Sequence, residues 1–378
     1  MTDLRYLRTN LIDGFSQEVV QKLHFAIVGC GAVGNEVVKN LTLLGVGKLD
    51  VFDFDTIEIH NLTKSVLFRE SDVGRKKAEV VAERAMELDP NVSVRAFIGD
   101  FWEKMSLDML KGYNAVISSV DNFEARIRLN RLCALFSKDL VNTGIDSRNA
   151  SIEVYPFSRN KECACYQCNL PNSVYAEISK RYSCGWLRNI AAQDKVIPTT
   201  PITASIAGAF AASMAIRLQN YDYEKSQQIL IDSRTGISIQ LSLDVDEDCG
   251  GCSNRSASIL HVKSSPDIDS RIFKLPRTFN KNIQITSSEP ILTEFRCVNC
   301  TPDQKDVTIV FQNADSFTST FSICKKCGQI SRDIIIKDKF TISELLRKYK
   351  GFRFPCKYIS TEINGTKLII EMERDNEH

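Results

Sequence analysis

Histidine is scarce in this chain: His24, His60, His261 and His378 are the only four in 378 residues. A histidine base or a His-rich metal site would need fortunate placement of one of these, so the chemistry must lean on Cys, Asp, Lys and Arg. Net charge is nearly absent, at +1 from 48 basic and 47 acidic residues. No overall field therefore draws the chain to nucleic acid or to an anionic membrane, and neither is expected as a partner. The opening MTDLRYLRTN has no apolar segment after its basic residues and does not read as a secretory signal, so a cytoplasmic protein is expected. Long apolar runs are missing too. The most apolar stretch, Ile202 to Leu218, is interrupted by Thr203, Ser205, Gly208 and Ser213. It is expected to be a buried helix, not a membrane span.

What is present is a globular composition, 43% hydrophobic and 25% charged, long enough for two or three domains. From Phe25 to Val28 a short apolar run enters GCGAVG, and a helical pattern follows from Asn35 to Leu44. That is strand, glycine turn, helix, with Gly29, Gly31 and Gly34 at the turn. The next strand, Leu49 to Phe54, ends in DFD, where Asp53 stands at the spacing of a ribose-binding acid. A helix from Asp72 to Leu88, a strand over Val92 to Ile98 and a buried strand Ala115 to Ser119 continue the alternation. Such alternation predicts an α/β fold, a doubly wound parallel sheet with helices on both faces and its ligand at the strands' carboxyl ends. A nicotinamide dehydrogenase would share these features, but it leaves DNFEAR and the cysteine pairs unexplained.

Thirteen cysteines include four pairs at CxxC spacing. In an intracellular chain that spacing points to metal more than to disulfides. Cys165, Cys168, Cys249 and Cys252 fit a closed, structural Zn²⁺ site, and Cys297, Cys300, Cys324 and Cys327 fit a zinc ribbon. Cys30, inside the glycine turn, and Cys133, on an apolar helix face, are expected to be buried and inert. Cys184 differs, because Lys180, Arg181 and Arg188 nearby in sequence would favour its thiolate.

Taken together, GCGAVG, DFDTIEIHNLTK, VGRKKAE, SSVDNFEAR and CYQCNLP resemble the ubiquitin-activating enzymes and their bacterial relatives, the adenylyltransferases of molybdopterin and thiamine biosynthesis. The resemblance implies a Rossmann-like adenylation domain that binds ATP and Mg²⁺. By it, Asp53 would hold the ribose, Asn61 and Lys77 the phosphates, and Asp121 the Mg²⁺ or the α-phosphate region, with Asp55 and Asn122 also at the nucleotide site. Lys64 stands where the family has arginine, a point charge in place of a bidentate fork. Arg8 matches an arginine contributed across a dimer, which implies a homodimer. CGWLRN resembles the pattern around a thioester-forming cysteine, making Cys184 the candidate nucleophile.

These readings divide the chain into an adenylation domain over 1–252, with a crossover loop at about 169–200, a Ser-rich linker over 253–270, and a C-terminal region over 271–378. The last is expected to be a smaller α+β domain with a zinc ribbon and, by resemblance, a ubiquitin fold that recruits a conjugating enzyme. Within it, Thr341 and Glu344 form a capping box for a helix Ile342 to Tyr349, and Asn364-Gly365 turns a hairpin. The resemblance implies adenylation of the C-terminal glycine of a ubiquitin-like protein, thioester formation on Cys184 and transfer to a conjugating enzyme. The alternatives are an adenylyltransferase without a thioester, serving sulfur transfer or peptide modification, and a non-catalytic zinc scaffold.

Overall fold

The computed structural model describes residues 4–175, 198–220, 223–252, 258–269, 283–297, 300, 307–314, 326–328, 332–363 and 366–373. Two compact units emerge, one built from Met1–Pro171 with Lys195–Arg255 and one that includes Ser256–His378. In the first, β1 (His24–Val28) lies between β2 (Lys48–Asp53) and β4 (Ala115–Ser118), all parallel. β3 (Ser93–Ile98) flanks β2, and β5 (Asp139–Ile145) flanks β4, again in parallel. Phe25, Ala26 and Ile27 have no exposed surface, as expected of a central strand covered on both faces. The chain builds β1, β2 and β3 outward, then returns to the other side of β1 for β4. That reversal opens a crevice at the carboxyl ends of β1 and β4.

Beyond β5 the sheet departs from the parallel expectation. β6 (Asn149–Tyr155), β7 (Gln227–Asp232) and β8 (Ser238–Ser242) continue it antiparallel, giving the order β3-β2-β1-β4-β5-β6-β7-β8. The cause is local. Asp146 accepts the N–H groups of Arg148 and Asn149, each at 2.7 Å, so the chain reverses tightly after β5 instead of crossing over through a helix.

Five helices complete the parallel half: α1 (Gln17–Val20), α2 (Ala32–Leu43), α3 (Lys77–Leu88), and the short α4 (Phe101–Lys104) and α5 (Leu107–Gly112). α3 starts five residues later than its pattern suggests, because Gly74 takes φ +89° and Lys76 is extended, bridged to Thr56. α6 (Phe123–Leu135) follows β4, and α7 (Pro201–Asn220) is the apolar helix that sequence placed in the core. Its Ala204, Ala207, Ala211 and Ala215 are buried, and its length and composition alone would suit a membrane span. A Cβ on Gly208 would lie 2.3 Å from the Cβ of Glu36, so glycine is what lets α7 cross α2 closely.

At the opposite end of this sheet, Asp50 is 1% exposed yet charged. Burial alone would raise its pKa, but His24, Arg95 (Nε at 2.8 Å) and Tyr113 (Oη at 2.8 Å) outweigh burial and hold it at about 2. A carboxyl depressed in the folded state contributes stability above its ordinary value near 3.8, lost as pH falls toward 2. Asp50→Asn is expected to lower unfolding free energy at pH 7 by about 2 kcal/mol. In urea titrations the gap between variant and parent should close between about pH 4 and pH 2. A gap that persists unchanged at pH 2 would refute this origin.

The second unit is built on a six-stranded sheet of order β11-β10-β13-β14-β9, with β12 also pairing β10. Part of the expected linker is in fact β9 (Ser258–Ser264), parallel to β14 (Thr366–Met372). β10 (Gln284–Cys297) is the longest strand and pairs with β11 (Val307–Asn313), β12 (Arg332–Thr341) and β13 (Tyr358–Ile363). Helix α8 (Ile342–Lys348) starts as predicted, with Thr341 Oγ1 accepting the Glu344 N–H at 3.1 Å. The return half of the capping box is replaced: the Glu344 carboxylate pairs with Lys337 Nζ at 2.7 Å. Phe340 and Leu345, on either side of this cap, are both buried. The Asn364-Gly365 turn lies outside the described residues.

Candidate active site

The glycine turn fills the crevice at the sheet's reversal. Gly29 sits at φ +95°, and a Cβ there would lie 2.7 Å from the Ser119 carbonyl oxygen, so the β1 and β4 loops touch. A Cβ on Gly34 would lie 2.0 Å from the Gly29 carbonyl oxygen. Both positions are closed by backbone. Gly31 is the opposite case: nothing lies within 4 Å of its Cβ position, leaving open space beside the backbone where α2 begins. Gly31 also caps α2 without a side chain, so nothing of its own covers the first-turn N–H groups, which form an anion-binding end.

Asn35, which sequence reasoning passed over, fastens this turn. Fully buried, it donates from Nδ2 to the carbonyls of Cys30 (2.8 Å) and Gly31 (3.0 Å), and its Oδ1 accepts the Leu67 N–H at 3.0 Å. The glycine turn and the loop after Asn61 are thereby locked together.

From the turn a chain of contacts leads to the expected carboxylates. Asp53 Oδ2 accepts the Cys30 N–H at 2.7 Å and Oδ1 the Asp55 N–H at 2.8 Å. Burial pushes the Asp53 carboxyl above the usual carboxylate range, against those two bonds and the Lys77 charge. Lys77 Nζ lies 2.7 Å from Asp55 Oδ2, and the Lys77 N–H donates to the Asp55 carbonyl at 3.0 Å. Gly29, Gly31, Gly34, Asp53, Asp55 and Lys77 thus share one connected site.

The remaining candidates are placed as follows. Asn61 accepts the Glu58 N–H at 2.9 Å through Oδ1, and its Nδ2 donates to none of the described residues. Lys64 Nζ donates to Thr199 Oγ1 at 3.0 Å, which ties the NLTK loop to the PTT segment. Asp121 is exposed on the β4 loop, two residues past Ser119. Asn122 caps α6, its Oδ1 accepting the Ala125 N–H at 2.8 Å, which gives it a structural task. Arg126, from the same DNFEAR motif, turns inward: it donates to Asn142 Oδ1 at 2.8 Å and to the carbonyls of Thr143 and Val120. It holds the Asp121 loop against β5, a role its place in the motif signalled. Arg8 is exposed and its guanidinium pairs with none of the described residues. Cys184 lies outside the described residues, as does Cys324.

Cys165, Cys168, Cys249 and Cys252 converge as their spacing predicts. Their sulfurs all lie within 4.8 Å of one another, with Cys165–Cys249 at 3.7 Å, Cys165–Cys168 at 3.9 Å and Cys168–Cys252 at 3.3 Å. A metal bound at about 2.3 Å by four tetrahedral thiolates sets sulfurs about 3.8 Å apart, so the donor set fits zinc. The Cys165 N–H donates to Cys168 Sγ at 3.3 Å, and Gly251 admits no Cβ, which would fall 2.6 Å from Gln167 Oε1. Cys297, Cys300 and Cys327 form a second group. Cys30 and Cys133 are buried, and burial pushes both thiols up, so neither supplies a thiolate.

The arrangement can hold a polyphosphate: a helix N-terminus with open backbone, a cation, and a carboxylate for a sugar hydroxyl. Comparison with known proteins agrees. The chain is 29% identical over 164 residues to SUMO-activating enzyme subunit 2 of Dictyostelium discoideum, 42% of this chain and 24% of that protein. It is 32% identical over 157 residues to the sulfur carrier protein adenylyltransferase of Thermus thermophilus, 41% of this chain and 58% of that one. It therefore spans less than two thirds of either relative. The crystal structure of E. coli MccB with ATP superposes with a TM-score of 0.50 at 23% identity, covering 62% of this chain and 68% of that one, a likeness of fold. The ThiF family model matches residues 5–242, more than half of the chain and the whole of the glycine turn, crevice and eight-stranded sheet, and this protein belongs to the ThiF family.

Proposed function

We propose that this protein uses ATP and Mg²⁺ to adenylate the C-terminal carboxylate of a ubiquitin-like protein. The observation that carries the reading is the connected site at the sheet's reversal, where open backbone at Gly31 meets Asp53, Asp55 and Lys77. Membership of the ThiF family supports it. The α2 N-terminus and Lys77 would receive the phosphates, Asp53 the ribose hydroxyls, and Lys64 and Asn61 the departing pyrophosphate. Asp121 would ligate Mg²⁺, which offsets phosphate charge when bound. A carboxylate oxygen attacks the α-phosphorus, the bond to the β-phosphate oxygen breaks, and pyrophosphate leaves with its electron pair.

The sheet face away from α7 suits a folded partner with an extended tail. Alternate residues on β5 to β8 place Asn142, Glu153, Gln228 and Leu241 in one row and Gly144, Ser151, Leu230 and Ile239 in the next. The rows are polar toward β5 and apolar at β8, where Ile239 and Leu241 are exposed. A cavity of about 470 Å³ lies there, lined by Gly144, Asp146, Ser151 and Gln228. A polar tail over β5 with an apolar domain over β8 matches that division.

In the full reading Cys184 thiolate attacks the acyl carbon, the bond to AMP breaks, and a thioester forms for a conjugating enzyme received by the C-terminal unit. Arg8 would act in a second protomer's site; exposed Leu4, Leu7, Leu11 and Ile12 around it supply apolar surface for a homodimer. Zinc would close the Cys165, Cys168, Cys249 and Cys252 cluster, and cysteines grouped at metal-binding separations suit the cytoplasm. A second reading ends at the adenylate. It is supported by relatives named for sulfur-carrier adenylation.

The test mixes full-length protein, ATP, Mg²⁺ and small β-grasp proteins ending in glycine. Substrate-dependent exchange of labelled pyrophosphate into ATP is expected, and its absence with every such partner would sink adenylation. A reductant-sensitive adduct on a non-reducing gel, lost in Cys184→Ala, is expected for the thioester route. Exchange without an adduct leaves the second reading.

A further inference from the structure

The second group of thiols lies beyond the family match, in the unit that includes Ser256–His378. β10 ends at Cys297, Cys300 follows at CxxC spacing, and Cys327 precedes β12, whose Arg332 is the register partner of Cys297. The sulfurs of Cys297 and Cys327 are 3.8 Å apart, the Cys300 N–H donates to Cys297 Sγ at 3.4 Å, and all three sulfurs lie within 4.8 Å of one another. That separation is the edge of a tetrahedral thiolate site, about 3.8 Å for zinc–sulfur bonds near 2.3 Å. It is far longer than the roughly 2.05 Å of a disulfide.

The packing supplies an independent reason for a metal. Past the irregularity between Leu292 and Glu294, β10 is flanked by β11 on one side and β12 on the other. The apolar cluster of this ribbon consists of buried Leu292 and Phe295, with Val310, Ile334 and Ile336 only partly buried. The larger cluster takes Ile285 and Ile291 from β10, Phe311 from β11 and Phe340 from β12, so it orders the other end of these strands and leaves the thiol-bearing end to Leu292 and Phe295. Two buried apolar side chains among the described residues are too few to offset the entropy of ordering that end of three strands. Folds with so small a core generally need a disulfide or a metal.

We propose that Cys297, Cys300 and Cys327 bind a zinc ion that stands in for the small core at the thiol-bearing end of the β10–β11–β12 ribbon, so this end orders only with metal bound. Both groups mix buried and half-buried thiols, but Cys327 is exposed and no member of the other group is, so a chelator reaches the ribbon ion first.

The test measures zinc in the full-length protein by atomic absorption, with hydrogen exchange read before and after chelation. The parent is expected to hold one zinc more per chain than Cys297→Ser or Cys327→Ser. Chelation should raise exchange at the thiol-bearing end, over 294–297, 307–309 and 332–335, at least tenfold while β1, β2 and β4 stay protected. Equal zinc in parent and variants, or ribbon exchange indifferent to chelation, would overturn the proposal. Where Cys297→Ser fails to fold, the exposed position Cys327→Ser and the parent titration decide it.

Discussion

Lys77→Ala is expected to lower kcat/KM for ATP–pyrophosphate exchange by about 100-fold to 1,000-fold, the range for removing one preorganised charge from a reacting centre. Its side chain is only 12% exposed, and Nζ is fixed 2.7 Å from Asp55. Its place also argues for function over stability. Lys77 is the first residue of α3 and Lys76 its N-cap, so two cations sit at the positive end of the helix dipole, where anions are favoured. Asp55 offsets one of these two cations, and the triphosphate would offset the rest. The variant should melt within a few degrees of the parent, since an ion pair with a half-exposed Asp55 is worth about 1 kcal/mol or less. Exchange that survives within threefold, in a protein of unchanged melting temperature, would exclude Lys77 from the phosphate site.

Cys249→Ser is expected to cost about 4 kcal/mol or more and to remove one metal ion per chain. The cluster joins the end of the β6 connection to the segment after β8, two stretches 84 positions apart in sequence. A hydroxyl does not replace a thiolate on zinc, and the remaining three sulfurs are left in a cavity shaped for four. The surroundings are close, since a Cβ on Gly251 would lie 2.6 Å from Gln167 Oε1 and 3.0 Å from Cys165 Sγ. Metal analysis with urea unfolding would check both parts. A variant with the parent's metal content and stability would show that Cys249 holds no metal.

Much of the site was legible because its signals are local. The turn Gly29, Gly31, Gly34 announces itself within six residues, and each glycine has a separate structural reason, two to avoid backbone and one to leave space. Asp53 is at the end of β2 because a strand that must end beside the glycine turn places it there. The Thr341 cap and the CxxC knuckles likewise depend on contacts a few residues apart. Asn35 was missed because an isolated Asn in a helical pattern looks like solvated surface, and Arg126 because the carboxylate and amide of its motif drew the functional reading. Only the fold reveals that their partners, Leu67 and Thr143, come from other elements.

Sequence alone determined the family, the order of strand and helix through β4, and which cysteines form pairs, since these follow from short-range periodicity, turn chemistry and spacing. The tertiary structure decided what depends on long-range pairing. It set β7 beside β6, made a strand of a Ser-rich stretch by setting Ser258–Ser264 beside Thr366–Met372, and brought the Ser119 loop against Gly29. Period and propensity are summed over neighbours in the chain. Register, close backbone approach and the gathering of sulfurs are settled by residues about a hundred positions apart, which a local pattern does not encode.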